Sequence, residues 1–467
     1  MAEHDAELAA AMLPSNASSG LTTRGKSALV CAFALVAAAQ IFAFFPGYLT
    51  HDSAYQWWQA RTGELTTLWP PGMILLMAAV DTWIPGPTVL YVAHSGIYWA
   101  AAAFFSLSIN TLRSSWMTFI LLVLFPTAAI CLPHVWIDVE LATLLMLVTA
   151  LLVYANKAIA GRARISLGLA TFIVVFVALV RHNAWMALPP LCWTIAYLWP
   201  LSVGAIQRRH SRITVVAASL IFAVAVAAYA TLPKALSRTH ADTWAITLIW
   251  DLQALSVATK SVLVPKLISE DATLEDLTQS FDPVNAVTMY VLGKSTWVNA
   301  TTGLSAPQAN ALRLAWTNAV LAHPLQYLAH RAHVALKMVG PKRNAQVDGG
   351  ADEPVRLVFK DNPVIAFANP EAMAWARKWI DWLKPHWLAT PVVWMSVSTL
   401  VLLIRLRQSH NGPISNIAVA VWLSGVMYLL PLFLISPTAD VRYVFWPTLA
   451  MLVAALIAGS KATARAR

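Results

Sequence analysis

Long apolar stretches alternate with short polar ones along most of the chain. Runs rich in Ala, Val, Leu, Ile and Phe cover roughly 27–46, 88–110, 116–132, 140–156, 165–182, 185–204, 213–232, 387–404, 414–434 and 444–460. A membrane-crossing helix needs about 20 apolar residues, with a range near 17–25. The runs meet that requirement, 116–132 and 140–156 at the short end. The pattern predicts an all-α polytopic membrane protein with about ten transmembrane helices. The run 71–84 is different. Bounded by Pro70-Pro71 and Pro85-Gly86-Pro87, it is too short to cross and is expected to lie on, or dip into, the membrane surface.

Between 233 and 386 the apolar runs stop. Helix-like stretches at 307–322 and 324–338 remain, punctuated by Asp282-Pro283, Gly349-Gly350 and Asn362-Pro363. The chain therefore reads as a mobile tail (1–23), an N-terminal membrane module (24–232) whose first outer loop is 47–86, an extracytoplasmic and mostly helical domain (233–386), and C-terminal membrane helices (387–467). A cleaved signal peptide at 27–46 is the weaker reading, because a long acidic tail precedes it. No internal repeat is evident.

Charge fixes the expected orientation. Arg24 and Lys26, Arg113, Lys157 with Arg162 and Arg164, Arg208 with Arg209 and Arg212, Arg405 with Arg407, and Lys461 with Arg465 and Arg467 flank every second loop. Basic loops stay cytoplasmic, which puts both termini there. A full crossing by 71–84 would throw the later basic loops to the other side. Apart from Glu3, Asp5 and Glu7 in the tail, the acids fall in 47–86, 138–140, 233–386 and at Asp440, all on the outer side.

Composition narrows the class. Of 467 residues, 58% are hydrophobic and 12% charged, against about 25% charged in soluble domains. That excludes a soluble enzyme, a disordered chain and a disulfide scaffold. The net charge of +10 sits in loops between apolar runs, so it reports orientation and not nucleic-acid binding. Cys31, Cys131 and Cys192 lie in apolar segments with no metal spacing. No GxxxxGK[ST] loop and no HExxH is present.

Four polar clusters break the apolar pattern. His51-Asp52-Ser53, with Tyr55 after it and Trp69 before the paired prolines, lies just past the first span. Asp52 or Ser53 is expected to cap a short helix over 54–61. Asp138 and Glu140 enter the fourth span, and one helix dipole explains one acid better than two acids about 200° apart. Arg181-His182-Asn183 ends the fifth span. Asp440-Val441-Arg442-Tyr443 follows the ninth. Both arginines stand on the outer side, against the charge bias, and guanidinium groups suit phosphate. Ionisable groups at membrane depth mark function. Together, Asp52, Asp138, Glu140, Arg181 and Arg442 are expected to line one outer cavity. In the outer domain, Asp251 (in Trp250-Asp251-Leu252-Gln253) and Arg331 (in Tyr327-Leu328-Ala329-His330-Arg331) are further candidates, whereas the sequon-like Asn299-Ala300-Thr301 carries little weight.

This layout resembles the GT-C superfamily of membrane glycosyltransferases, closest to the bacterial branch of ArnT-like and protein-mannosyltransferase-like enzymes. The resemblance lies in the acid after the first span, two surface helices in the first outer loop, acids before the fourth span, and a large outer domain before the last spans. It covers most of 27–460 in layout and about twenty residues in motif. Trp69 and Ile137 depart from it, where that branch tends to show His and Lys. The resemblance implies an inverting transfer of a sugar from a polyprenyl-phosphate donor to a lipid, glycan or protein acceptor at the periplasmic face of a bacterial inner membrane, among membrane lipids and without nucleic acid. It implies Asp52 as base and Asp138 and Glu140 as acceptor-positioning groups. In those members that use a divalent metal (Mg, Mn or Zn), these three acids would hold it. Arg181, His182, Asn183, Arg442 and Tyr443 would bind the donor phosphate. On the residues alone, a lipid or anion transporter and a non-catalytic scaffold stay open.

Overall fold

The structure, a computed structural model, describes residues 22–109, 112–202, 210–299, 302–340, 359–408 and 412–460. Most of the tail, Arg208, Arg209, Gly349-Gly350, Ala300-Thr301, Lys461, Arg465 and Arg467 lie outside them. The described chain is all-helical; its only β pairings are isolated bridges. In order the helices are α1 (Thr23–Phe44), α2 (His51–Thr62), α3 (Gly72–Val80), α4 (Gly86–Ser108), α5 (Leu112–Val123), α6 (Pro126–Cys131), α7 (Ile137–Ala155), α8 (Ala160–Val177), α9 (Pro189–Ser202), α10 (His210–Leu236), α11 (Thr243–Thr259), α12 (Leu274–Gln279), α13 (Thr288–Leu292), α14 (Ala306–Ala322), α15 (Pro324–Val339), α16 (Pro370–Leu383), α17 (Pro391–Gln408), α18 (Pro413–Ile435) and α19 (Phe445–Gly459).

Among the described residues, seven helical stretches are long and apolar enough to cross a membrane: α1, α4, α7, α8, α10 from Arg212, α18, and Val441–Gly459 ending in α19. Their outward faces leave Leu35, Ile165, Phe172, Val216 and Leu220 exposed. Water would penalise such a surface, whereas lipid does not. The chain is a multi-pass membrane protein. α7 and α19 form its centre, 83% and 89% buried over their apolar windows, while α1 and α10 are peripheral at 17% and 11%.

The other three expected spans take different forms. The run 116–132 is broken into α5 and α6, because Phe125 precedes Pro126 and adopts an extended conformation, as the residue before proline generally does. The run 185–204 becomes a 3-10 turn (Ala184–Ala187) followed by α9, and 387–404 is displaced to α17; both helices begin at a proline. These helices leave ten passes consistent with the fold, though only seven of the described stretches meet the length and apolarity of a full crossing.

The segment 71–84 forms the short α3, as its flanking prolines suggest. Beyond α10, helices α12, α14 and α15 pack on α11, and buried side chains of α11 to α15 join the same continuous apolar core as the long helices. The attachment is specific. Thr67 and Thr239 pair (N to O 3.0 Å), Thr247 Oγ1 donates to Ile435 O (3.1 Å), and the Ala286 and Ala439 amides donate to Pro437 O and Val284 O (2.9 Å each). α16 is amphipathic, with Trp375, Trp379 and Trp382 exposed beside Arg377 and Lys378, the composition of an interfacial helix.

Candidate functional site: a charged cavity at one end of the helices

Tyr48 anchors the first loop to the stretch before α7: its amide donates to Pro133 O (2.8 Å) and its carbonyl accepts from the Val135 amide (3.0 Å). The Trp136 indole donates to Thr50 Oγ1 (3.0 Å). Thr50, and neither Asp52 nor Ser53, is the N-cap of α2; Ser53 Oγ accepts from the Thr50 amide (2.9 Å), closing a capping box. This leaves the Asp52 carboxylate uncommitted to the backbone. α2 is held from below by Asp81, which accepts from the Trp57 indole (2.5 Å) and the Gly86 amide (2.8 Å).

The turn after α8 is fixed from two sides. The Gly72 amide donates to Leu179 O (2.8 Å). A Cβ at 72 would stand 2.6 Å from that oxygen, so the close approach needs glycine. His182 bridges Leu68 O (Nε2, 3.0 Å) and the Tyr229 hydroxyl (Nδ1, 3.2 Å). It braces the turn with both ring nitrogens.

These loops enclose a cavity of about 1270 Å³. Asp52, Asp138, Arg181, His182, Asn183, Arg442 and Tyr443 line its polar end, with His51, Tyr55 and Trp69. Arg442 Nη1 meets Asp52 Oδ2 at 2.8 Å, and its Nε meets Asp440 Oδ2 at 3.0 Å. Arg181 is ion-paired with Asp138, and its Nε donates to Asn183 Oδ1 (2.8 Å). The Tyr443 ring lies under both guanidinium groups, 4.4 Å from Arg181 and 5.3 Å from Arg442, and Trp136 supports Arg442 at 5.2 Å. Cation–π contact holds two like charges close together without neutralising them. Asp52 is the accessible acid, 37% exposed, against 3% for Asp138 and 4% for Asp440. Burial pushes the Asp440 carboxyl up, and Arg442 pulls it back.

The rest of the lining is largely apolar and aromatic. It includes Trp244, Trp297, Trp316, Tyr290 and Tyr327 with Ile246, Leu248, Leu432, Leu434 and Ile435. Leu434 and Ile435, from the end of α18, are about half exposed. Asp251 also reaches the cavity, but its carboxylate is engaged: Arg331 Nη2 at 2.5 Å, the Trp316 indole at 2.9 Å and His330 at 3.5 Å. Arg331 in turn donates to Ser436 O (2.8 Å), at the start of the turn that carries Arg442. Burial raises Asp251 above the usual carboxylate range, countered by Arg331, and pushes His330 down to about 3.

Three expectations need correction. Glu140 does not line the cavity. Two positions beyond Asp138 on α7, it faces the opposite way into the buried packing, with His94 at 4.0 Å. Arg331 and Asp440, the further candidates, do not line it either; both are buried, Arg331 against Asp251 and Asp440 against Arg442. Nor do Asp52, Asp138 and Glu140 fit a metal. The first two are spent on guanidinium groups, the third points away, and among the described residues no three His, Cys, Asp or Glu side chains converge. Conversely, Trp136, Trp244, Trp297, Phe359 and Lys360 line the cavity without having been singled out. Trp136 stands two positions before Asp138 in sequence; Phe359 and Lys360 sit in a polar segment with no periodic signal.

No family model matches this sequence, and no curated protein does. Among solved structures, the crystal structure of ArnT from Cupriavidus metallidurans bound to undecaprenyl phosphate aligns with 92% of this chain and 77% of that chain, at 13% identity and a TM-score of 0.33.

Proposed function

We propose that the chain is an inverting glycosyltransferase of GT-C type, which takes a sugar from a polyprenyl-phosphate donor at the periplasmic face of a bacterial inner membrane, with both termini cytoplasmic. The observation that carries this reading is the cavity's division. Part of its lining holds an accessible carboxylate and two guanidinium groups, and much of the rest is apolar, including the half-exposed Leu434 and Ile435. An amphiphile with an anionic head and a prenyl tail fits that division. A transport site would stand nearer mid-span, whereas these charges stand at helix ends.

The chemistry asks for little. An acceptor hydroxyl attacks the anomeric carbon from the side opposite the phosphate, and its proton passes to Asp52. The bond between the anomeric carbon and the phosphate oxygen breaks, its electron pair leaves with the phosphate, and the anomeric centre inverts. Arg442 and Arg181 stabilise that growing charge, as preorganised cations do in a water-poor site. Arg442 already binds Asp52. An arriving phosphate competes for the same guanidinium and releases Asp52 to accept the proton. Asp138 orients Arg181 and borders the acceptor. The aromatic wall and the 233–386 domain shape the acceptor's place.

The test is donor-dependent release. Purified protein in nanodiscs is incubated with a panel of polyprenyl-phosphate sugars and acceptor lipids, and polyprenyl phosphate is quantified. Release with at least one donor is expected. No release from folded protein with any donor and acceptor tried overturns the reading.

A further inference from the structure

Three basic side chains from Lys and Arg line the cavity: Arg181, Arg442 and Lys360. The two arginines are committed, Arg181 to Asp138 and Arg442 to Asp52 and Asp440. Lys360 has no carboxylate partner among the described residues. Its ammonium instead sits 3.3 Å from the centroid of the Trp58 ring, with Tyr55 and Phe359 at 6.0 and 5.7 Å. Aromatic faces attract a cation but bring no opposite net charge, so these contacts leave the Lys360 side chain without an ion-pair partner among the described residues.

The backbone around Lys360 is built to hold that position. Phe359 stacks on Tyr55 (4.9 Å, 27°) and meets His51 edge-on (5.2 Å). Arg61 donates to Asp361 O (3.0 Å) and Asn362 Oδ1 (3.1 Å), and the buried Asn362 amide donates to Ala54 O (2.8 Å). The segment is therefore pinned along α2, the helix whose first turn carries Asp52. Lys360 itself has φ +50°, a conformation where glycine or asparagine is cheaper. A lysine kept in that conformation at a cavity wall points to use of its side chain.

We propose that Lys360 binds the anionic phosphate of the substrate, as the one cavity cation among the described residues whose charge no carboxylate already meets. This rests on the glycosyl-donor reading above. The ammonium is a point charge on a flexible stem, so it follows a phosphate as the sugar departs while Arg442 stays held by Asp440 and Arg181 by Asp138. The exposed Lys360 side chain rests with its ammonium on the Trp58 ring.

The test measures binding of a polyprenyl phosphate to the full chain in nanodiscs by tryptophan fluorescence, with Trp58 beside the ammonium as one reporter. Wild type, Lys360→Met and Lys360→Arg are compared, using uncharged polyprenol as control and inorganic phosphate as competitor. Losing a charge-assisted contact should weaken polyprenyl phosphate binding by about 10- to 100-fold in Lys360→Met. Lys360→Arg should stay within a few-fold of wild type, which also shows that the fold survives, and polyprenol should bind all three alike. Competition by inorganic phosphate that is lost in Lys360→Met shows recognition of the anion itself; competition that persists unchanged in that variant overturns the inference. Equal binding of polyprenyl phosphate by wild type and Lys360→Met overturns it while leaving the donor reading intact. No binding by wild type overturns both.

Discussion

Replacing Arg331 by Met removes the guanidinium that Asp251 depends on. Both side chains are buried, 2% and 1% exposed. Breaking a buried pair from one side costs about 3–5 kcal/mol, and the lost hydrogen bond to Ser436 O adds about 1 kcal/mol. The bond from Trp316 survives, and Asp251 can relieve the rest by taking up a proton. A net loss of about 3 kcal/mol is expected, since the burial penalty stays but the charge is discharged. The sign with pH follows. Without Arg331, burial opposed only by the Trp316 bond acts on Asp251 and holds its folded-state carboxyl above the unfolded value. The protonated folded form is then favoured at low pH, and stability is lost as pH rises through the raised value. In thermal unfolding of the nanodisc-embedded protein, Arg331→Met should melt several degrees below wild type, with the gap wider at pH 8 than at pH 5. Asp251→Asn combined with Arg331→Met should recover part of the loss, because no buried charge remains. A loss under about 1 kcal/mol, well below the cost of breaking a buried pair, or a gap that does not change with pH, refutes the view that this pair is a desolvated ion pair holding the turn before Arg442.

Replacing Arg442 by Lys keeps the charge but cannot span Asp52 and Asp440 at once. Donor binding should weaken by about 10-fold or more, and unchanged affinity in a lipid-binding titration would remove Arg442 from the phosphate clamp. His330, pushed down to about 3 by burial and by neighbouring Arg331 and His333, lends stability that is complete above its unfolded value of about 6.5 and is lost as pH falls toward 3. The thermal midpoint should therefore fall between pH 7 and pH 4, less steeply in His330→Gln; identical slopes would show that His330 is not the group responsible.

What could be read from the sequence were residues that break a rule. Asp52, Asp138, Arg181 and Arg442 are ionisable groups at the ends of apolar helices, two of them against the charge bias, and the fold gathers all four into one cavity. Their pairing was not legible, because Asp52 and Arg442 are 390 positions apart and nothing local links them. The same holds for Asp251, Arg331 and Ser436. Glu140 carried a warning in its own spacing, since a side chain about 200° from Asp138 cannot share its face. The break between α5 and α6 was signalled by Pro126, though a continuous hydropathy run masks a change of backbone direction. Lys360 was silent: its role comes from packing against α2, and a lone lysine in a polar segment has no pattern to betray it.

The central claim is that Asp52 takes the acceptor's proton at a site that binds the donor through other groups. It is tested most directly by measuring sugar transfer in a single turnover by Asp52→Asn, with donor binding measured on the same preparation. The account predicts donor affinity within a few-fold of wild type and transfer slowed by at least about 100-fold, the contribution expected of a positioned general base. Transfer at near wild-type rate by the bound, folded variant would contradict it.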